Sequence, residues 1–194
     1  METKPIQVSF SGQDLRRLII PLVIEQLLAI TVGLLDSVMV SQVGEAAISA
    51  VSLVDTVNVL LVNPFSGGAV ITGQYLGRRE REKAGHSGEQ LLLFMMEASL
   101  FIMALFYLGK GFVLNVVFGK VDASVAAYAN TYYMIVEAST PFLAVYSAGA
   151  ALFRVMGNSQ ISMWVSLAMN VINGAGNALL IFGFHMGVEG VAIP

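Results

Sequence analysis

Residues 18–41 read LIIPLVIEQLLAITVGLLDSVMVS. From Leu18 to Val40 the only ionisable side chains are Glu25 and Asp36. A run of this length and composition exceeds the roughly 20 apolar residues that cross a bilayer. It is also longer than a signal-peptide core, which spans about 7–15 residues, and no small-residue cleavage site follows it. The reading is a retained first transmembrane helix with a carboxylate in each half.

The rest of the chain repeats the pattern. Of 194 residues, 56% are hydrophobic and 12% charged, about half the charge of an ordinary soluble domain. Further apolar runs lie at about Ile48 to Leu76, Leu91 to Leu108, Tyr128 to Phe153 and Ile161 to Phe184. The expected fold is all-α: a bundle of five spans, since a lone spanning segment must satisfy its own backbone hydrogen bonds. The segment VLNVVF, residues 113–118, suits either an interfacial helix or an ordered loop. Residues 1–17 form the amino-terminal segment, and residues 18–194 the membrane bundle. The bundle ends in GVEGVAIP, which resembles the first turn of a sixth helix. The expectation is therefore a fragment, or one half of a larger transporter.

Basic residues fall on alternate connections. Lys4, Arg16 and Arg17, then Arg78, Arg79, Arg81 and Lys83, then Arg154 lie on one side of a five-span chain. Only Lys110 and Lys120 lie on the other. The positive-inside rule puts the amino terminus in the cytoplasm of a multi-pass cell-membrane protein.

The spans hold Glu25, Asp36, Asp55, Glu97 and Glu137, and the apolar runs contain no lysine or arginine. An ionised carboxylate at the middle of a membrane helix costs about 2.5–3.5 kcal/mol on insertion scales. Without a cationic neighbour it must take up a proton, bind a cation such as Na⁺, or face water. Each choice is the chemistry of an ion-coupling site, and Asp36 is the foremost candidate. Gly33 leaves space on its helical face, and Ser37 follows it. Asp55 reads as a group at the outer water boundary. Glu25 and Glu137 read equally as cavity-lining groups or as locally paired ones. Asn170, Asn173 and Asn177, at i, i+3 and i+7, share one face of the fifth span. They either hold a neutralised carboxylate or form a polar seam, with Gly174 and Gly176 allowing close approach. Asn63-Pro64 and Pro141 interrupt the helical ladder, as kinks or as hinges beside a cavity.

Enzymatic readings find no support. There is no cysteine, no phosphate-binding loop and no nucleophile–base set. His86 and His185 lie in connections with no partner at metal-ligand spacing, so no firm metal site and no cofactor are expected. The GRREREK segment lacks interleaved aromatics, and topology explains it better than nucleic acid does.

Four motifs in order carry a resemblance from about Pro21 to Pro194. They are LLDSVMVSQVGEAAISAVS, GQYLGRREREKA, LFRVMGNS, and NGAGNALLIFGFHMGVEGVAI. The chain resembles the amino-terminal half of multidrug and toxic compound extrusion (MATE) transporters. That resemblance implies a twelve-helix antiporter of two six-helix bundles. Such proteins export small organic, often cationic, compounds in exchange for H⁺ or Na⁺. The second half would come from the same chain or another copy. The family's first-helix carboxylate falls on Asp36 and its fifth-helix polar pair on Asn173 and Asn177. Many members carry aspartate where this chain has Asn177. Two other readings remain: a lipid-linked oligosaccharide flippase of the same superfamily, and a truncated membrane protein that transports nothing. A flippase cavity needs several cations for pyrophosphate.

Overall fold

The structure is a computed structural model that describes residues 12–62 and 69–194. Helix α1 spans Gly12–Ser41, α2 Glu45–Val62, α3 Ala69–Gly77 and α4 Arg81–Leu108. A short α5, Lys110–Phe112, runs into a π-helical turn at Val113–Val117. Helix α6 covers Ala123–Val155, and α7, Ser159–Ala178, continues through a second π turn, Leu179–Gly183. The last helix, α8, is Glu189–Ala192.

Four helical stretches are long and apolar enough to cross a membrane: Gly12–Ser41, Arg81–Leu108, Ala123–Val155 and Ser159–Gly183. The expected second span falls on α2 and α3, on either side of residues 63–68; Asn63-Pro64 lies outside the described residues. Several helix boundaries lie outside the runs read from sequence, since a helix extends past the apolar stretch when polar residues can ride its end. Helix α4 starts at Arg81, ten residues before the apolar run, so His86 stands on a helix. Helix α6 runs to Val155 and carries Arg154 in its last turn.

The connections are built from helix stops. After α6, Gly157 adopts φ +81°, donating to the Arg154 carbonyl while Asn158 donates to that of Phe153. These two bonds close a left-handed C-terminal cap. After α3 the same pair runs from Arg79 to Leu76 and from Glu80 to Tyr75. There Arg79 takes φ 62° without being glycine.

Helices α4 and α6 lie antiparallel, and each lends a tyrosine to the other's backbone. Tyr107 donates to the Met134 carbonyl at 2.6 Å, and Tyr133 to that of Phe106 at 3.1 Å. The space between helices is filled by small side chains: Ala47, Ala50, Ala129, Ala144 and Ala148 are all fully buried. Such residues let backbones approach closely where the surrounding lipid supplies no hydrophobic drive. Helix α1 is the exception. Only Pro21 and Val40 are buried along it, and a stripe including Leu27, Ile30, Leu34 and Val38 is exposed. It packs chiefly on α7. Polar contacts, described next, fix where it sits.

Candidate functional site

Glu25 and Asp36 are eleven residues apart on α1, and both reach α7. Ser162, at the start of α7, donates to Glu25 Oε2 at 3.1 Å. Asn177, at its end, donates from Nδ2 to Asp36 Oδ1 at 2.7 Å. The order of these contacts makes α1 and α7 parallel, so their carboxyl-terminal halves lie side by side. Asn177 Nδ2 also approaches Asn173 Oδ1 at 3.3 Å. Asn177 is wholly buried, and its Oδ1 has no hydrogen-bond partner.

Asp36 opens onto a cavity of about 180 Å³. Helix α1 contributes Gly33, Asp36, Ser37 and Val40; α2 contributes Ile48, Val51, Ser52 and Asp55. Each set is an i, i+3, i+4, i+7 stripe, one face of a helix. Tyr132 of α6, Asn173 of α7 and Val191 of α8 complete the wall. Tyr132 is buried and donates to Asp55 Oδ1 at 3.1 Å. Among the described residues, no lysine or arginine forms an ion pair with Asp36 or Asp55.

The sequence reading joined Asp36 to the fifth-span asparagines. Asn173 and Asn177 do meet it; Asn170 turns elsewhere and bonds Ser166 Oγ at 3.4 Å. The glycine expectations divide too. A Cβ at Gly33 would meet open space, as would one at Gly174, whereas one at Gly176 would lie 2.6 Å from Pro194 Cβ. Close approach therefore belongs to Gly176 alone of the pair.

Glu25 differs from the expectation of a carboxylate without a cation. Arg154 Nη1 lies 3.4 Å from its Oε1, because the last turn of α6 carries the guanidinium back toward α1. The pair borders a second cavity of about 380 Å³ with Gln26, Tyr146, Ser166 and Asn170. Glu137 is apart from both sites. It is fully buried on α6, accepts from Thr140 Oγ1 at 3.5 Å, and leaves Oε1 without a partner. Pro141 is buried one turn on; lacking an N–H, it also frees the Glu137 backbone carbonyl. Glu97 is exposed on α4.

A third cavity, about 460 Å³, is lined by apolar and aromatic groups including Phe142, Leu143 and Met169. It shares Tyr132, Asn173 and Val191 with the Asp36 cavity. Sequence reasoning missed Tyr132; Asp55 is exposed, as a boundary group would be, and also lines the Asp36 cavity. The α2 stripe ending at Asp55 was a usable signal, whereas nothing in the local sequence distinguishes Tyr132 from its neighbour Tyr133.

Comparison with known proteins bears on the family and the fold. The MatE family model matches residues 21–179. A protein of Bacillus subtilis (strain 168) described as the uncharacterized transporter YisQ is 29% identical over 198 aligned positions, covering 98% of this chain and 42% of its own length. A probable multidrug resistance protein NorM of Streptococcus pneumoniae serotype 4 is 23% identical over 175 positions, covering 86% of this chain and 37% of its own. The fold is that of a solved MOP superfamily transporter from Pyrococcus furiosus, with TM-score 0.85 and 19% identity over 92% of this chain and 40% of that one. The chain thus spans about two-fifths of the length of the proteins it matches.

Proposed function

The chain belongs to the MatE family of transporters, and on that premise we propose that it is the amino-terminal bundle of a secondary antiporter. The cargo is a small organic compound, often cationic, and the driving ion is H⁺ or Na⁺. The relative named as a probable multidrug resistance protein supports the cargo class. In this reading the bundle has five spans and the start of a sixth, with its amino terminus in the cytoplasm of the cell membrane. A second bundle, from the same chain or another copy, completes twelve helices.

The observation that carries the reading is Asp36 itself. It faces a cavity, holds a buried asparagine at 2.7 Å, and has no basic partner among the described residues. A carboxylate so placed changes its hydrogen bonds when an ion neutralises it. The charged form accepts from Asn177; the neutral form offers less to that donor. Because Asn173 and Tyr132 belong to both cavities, a shift at the ion site alters the wall of the larger, apolar one. Cargo bound there is released when the two ion states differ in affinity for it. The flippase reading gains no support from the cavities among the described residues: Arg154 stands in the one beside Glu25 and is paired with it, and Lys83, which lines a cavity between α3 and α4, is paired with Glu80.

The test is ion-driven efflux from proteoliposomes containing the complete transporter. Asp36→Asn should insert normally and lose efflux driven by an imposed pH or Na⁺ gradient. Unchanged efflux in that variant overturns the assignment.

A further inference from the structure

A cavity of about 740 Å³ lies between α3 and α4, away from the coupling site. Its wall on α4 is one continuous helical face: Lys83, His86, Ser87, Gln90, Leu91 and Phe94 fall at i, i+3, i+4, i+7, i+8 and i+11. That face changes character along the axis. Its first part is polar, with Glu82 beside it; from Leu91 it turns apolar, and Phe94 and Met95 join Ile71 of α3. Ile71 and Phe94 are exposed. At 1.5 Å of rise per residue, Lys83 and Phe94 stand about 16 Å apart along α4. The hydrocarbon of one leaflet is about as deep. The groove therefore runs from the water boundary into lipid, and an amphiphile laid along α4 meets both ends.

The polar end holds donors that its own contacts leave unused. An ammonium carries three N–H groups, and Lys83 meets Glu80 at 2.6 Å, so two remain. His86 and Gln90 meet through their Nε2 atoms at 3.1 Å. With the amide donating, the neutral ring keeps its proton on Nδ1, and Glu89 Oε2 at 4.0 Å is too far to take it. Ser87 and Thr72 share one hydrogen bond at 3.1 Å, so one of their two hydroxyl hydrogens is spare. Glu82 supplies the opposite charge at the same end and forms no ion pair among the described residues.

We propose that this groove seats a phospholipid with a primary-ammonium headgroup, of the phosphatidylethanolamine class. The phosphate diester, with its single negative charge, takes the free donors of Lys83 and His86. The ammonium takes Glu82, and one acyl chain runs along Ile71, Phe94 and Met95. The two opposite charges that line the groove match the zwitterion of such a head, which favours it over an anionic lipid. A quaternary ammonium has the charge but no N–H for Glu82, and a glycerol head lacks the charge. The inference needs α4 to cross the membrane and is independent of the coupling role of Asp36.

The experiment reconstitutes the complete transporter in vesicles of equal parts phosphatidylethanolamine, phosphatidylglycerol and phosphatidylcholine. The protein is extracted in mild detergent, and its retained lipid is identified by native mass spectrometry. The wild type should retain phosphatidylethanolamine about threefold or more above either other lipid. Glu82→Gln should bring phosphatidylethanolamine and phosphatidylcholine to parity. Lys83→Gln combined with His86→Ala should lower total retained phospholipid about threefold. All three positions are exposed, so the variants should fold as the wild type does. Lys110→Gln, beyond the far end of α4, should change nothing. Preferential retention of phosphatidylglycerol overturns the proposal in favour of an anionic lipid. Equal retention of all three lipids, or wild-type retention in the Glu82 and Lys83 variants, overturns it too: the groove then holds bulk lipid or is covered by the second bundle.

Discussion

Asn177 reaches Asp36 across 2.7 Å and bonds it through the amide nitrogen, leaving its own oxygen open. A donor aimed at a carboxylate stabilises the charged form, and hydrogen bonds to charged groups contribute about 1.5–3 kcal/mol. Replacing Asn177 by aspartate removes that donor and sets a second carboxylate against the first. Both cannot stay ionised at such a distance. Asn177→Asp should therefore tighten apparent ion binding by about tenfold or more and slow ion release. Half-saturating ion concentration and turnover, measured together in proteoliposomes, check this: both should fall.

The Glu25–Arg154 pair predicts a stability effect. Side-chain exposures of 16% and 31% make it a partly screened pair, so the full cost of breaking a buried one does not apply. Arg154→Met should destabilise the transporter by about 1–3 kcal/mol, because Glu25 loses its guanidinium partner and keeps only the Ser162 hydroxyl. Glu25→Gln combined with Arg154→Met should recover most of that loss. Thermal unfolding in detergent of the two single variants and the double closes the cycle. Additive losses would show that the pair is not coupled.

Much of this arrangement is legible along the chain, and the gaps have physical causes. The helical spacing of Asn173 and Asn177 signals their shared face, and the uncompensated Asp36 marks a site. The same periodicity on α2, from Ile48 to Asp55, has equal force, but it can be trusted only once the opposing α1 face is seen. Arg154 lies beyond the reach of local pattern. Its distance from Glu25 is set by where α6 stops, and that stop depends on the left-handed backbone at Gly157. Asn170 shares the asparagine stripe, yet it lies almost two turns from Asn177. Its amide bonds Ser166 instead, one turn earlier on α7 itself.

Glu137 serves as the control for the coupling argument. It is fully buried, with one oxygen bonded weakly to Thr140 and the other unpartnered. It lines none of the cavities that Asp36 or Glu25 opens onto. Glutamine has nearly its shape, can still accept from Thr140, and carries no charge. Glu137→Gln should leave ion dependence unchanged and stability equal to or up to about 1 kcal/mol above wild type. Ion-series efflux and thermal unfolding read the two effects separately. An altered ion dependence would make Glu137 part of the coupling machinery.

Gly33 and Gly73 predict opposite outcomes for the same substitution. A Cβ at Gly73 would fall 2.6 Å from Val155 Cγ1. The obstacle is a β-branched side chain with few rotamers to escape into, so α3 must move off α6. Gly73→Ala should cost about 1–3 kcal/mol, as other overpacked interiors do. At Gly33 a Cβ meets nothing within 4 Å. Alanine there gains helix propensity, worth up to about 1 kcal/mol, and adds a methyl group to the cavity wall beside Asp36. Gly33→Ala should keep or raise the unfolding temperature while shifting the ion concentration at half-maximal efflux. The paired measurement separates packing from function. A stability loss at Gly33 would mean that a helix covers that face in the assembled protein, and a loss at neither position would mean that α3 and α6 are more loosely apposed than their geometry indicates.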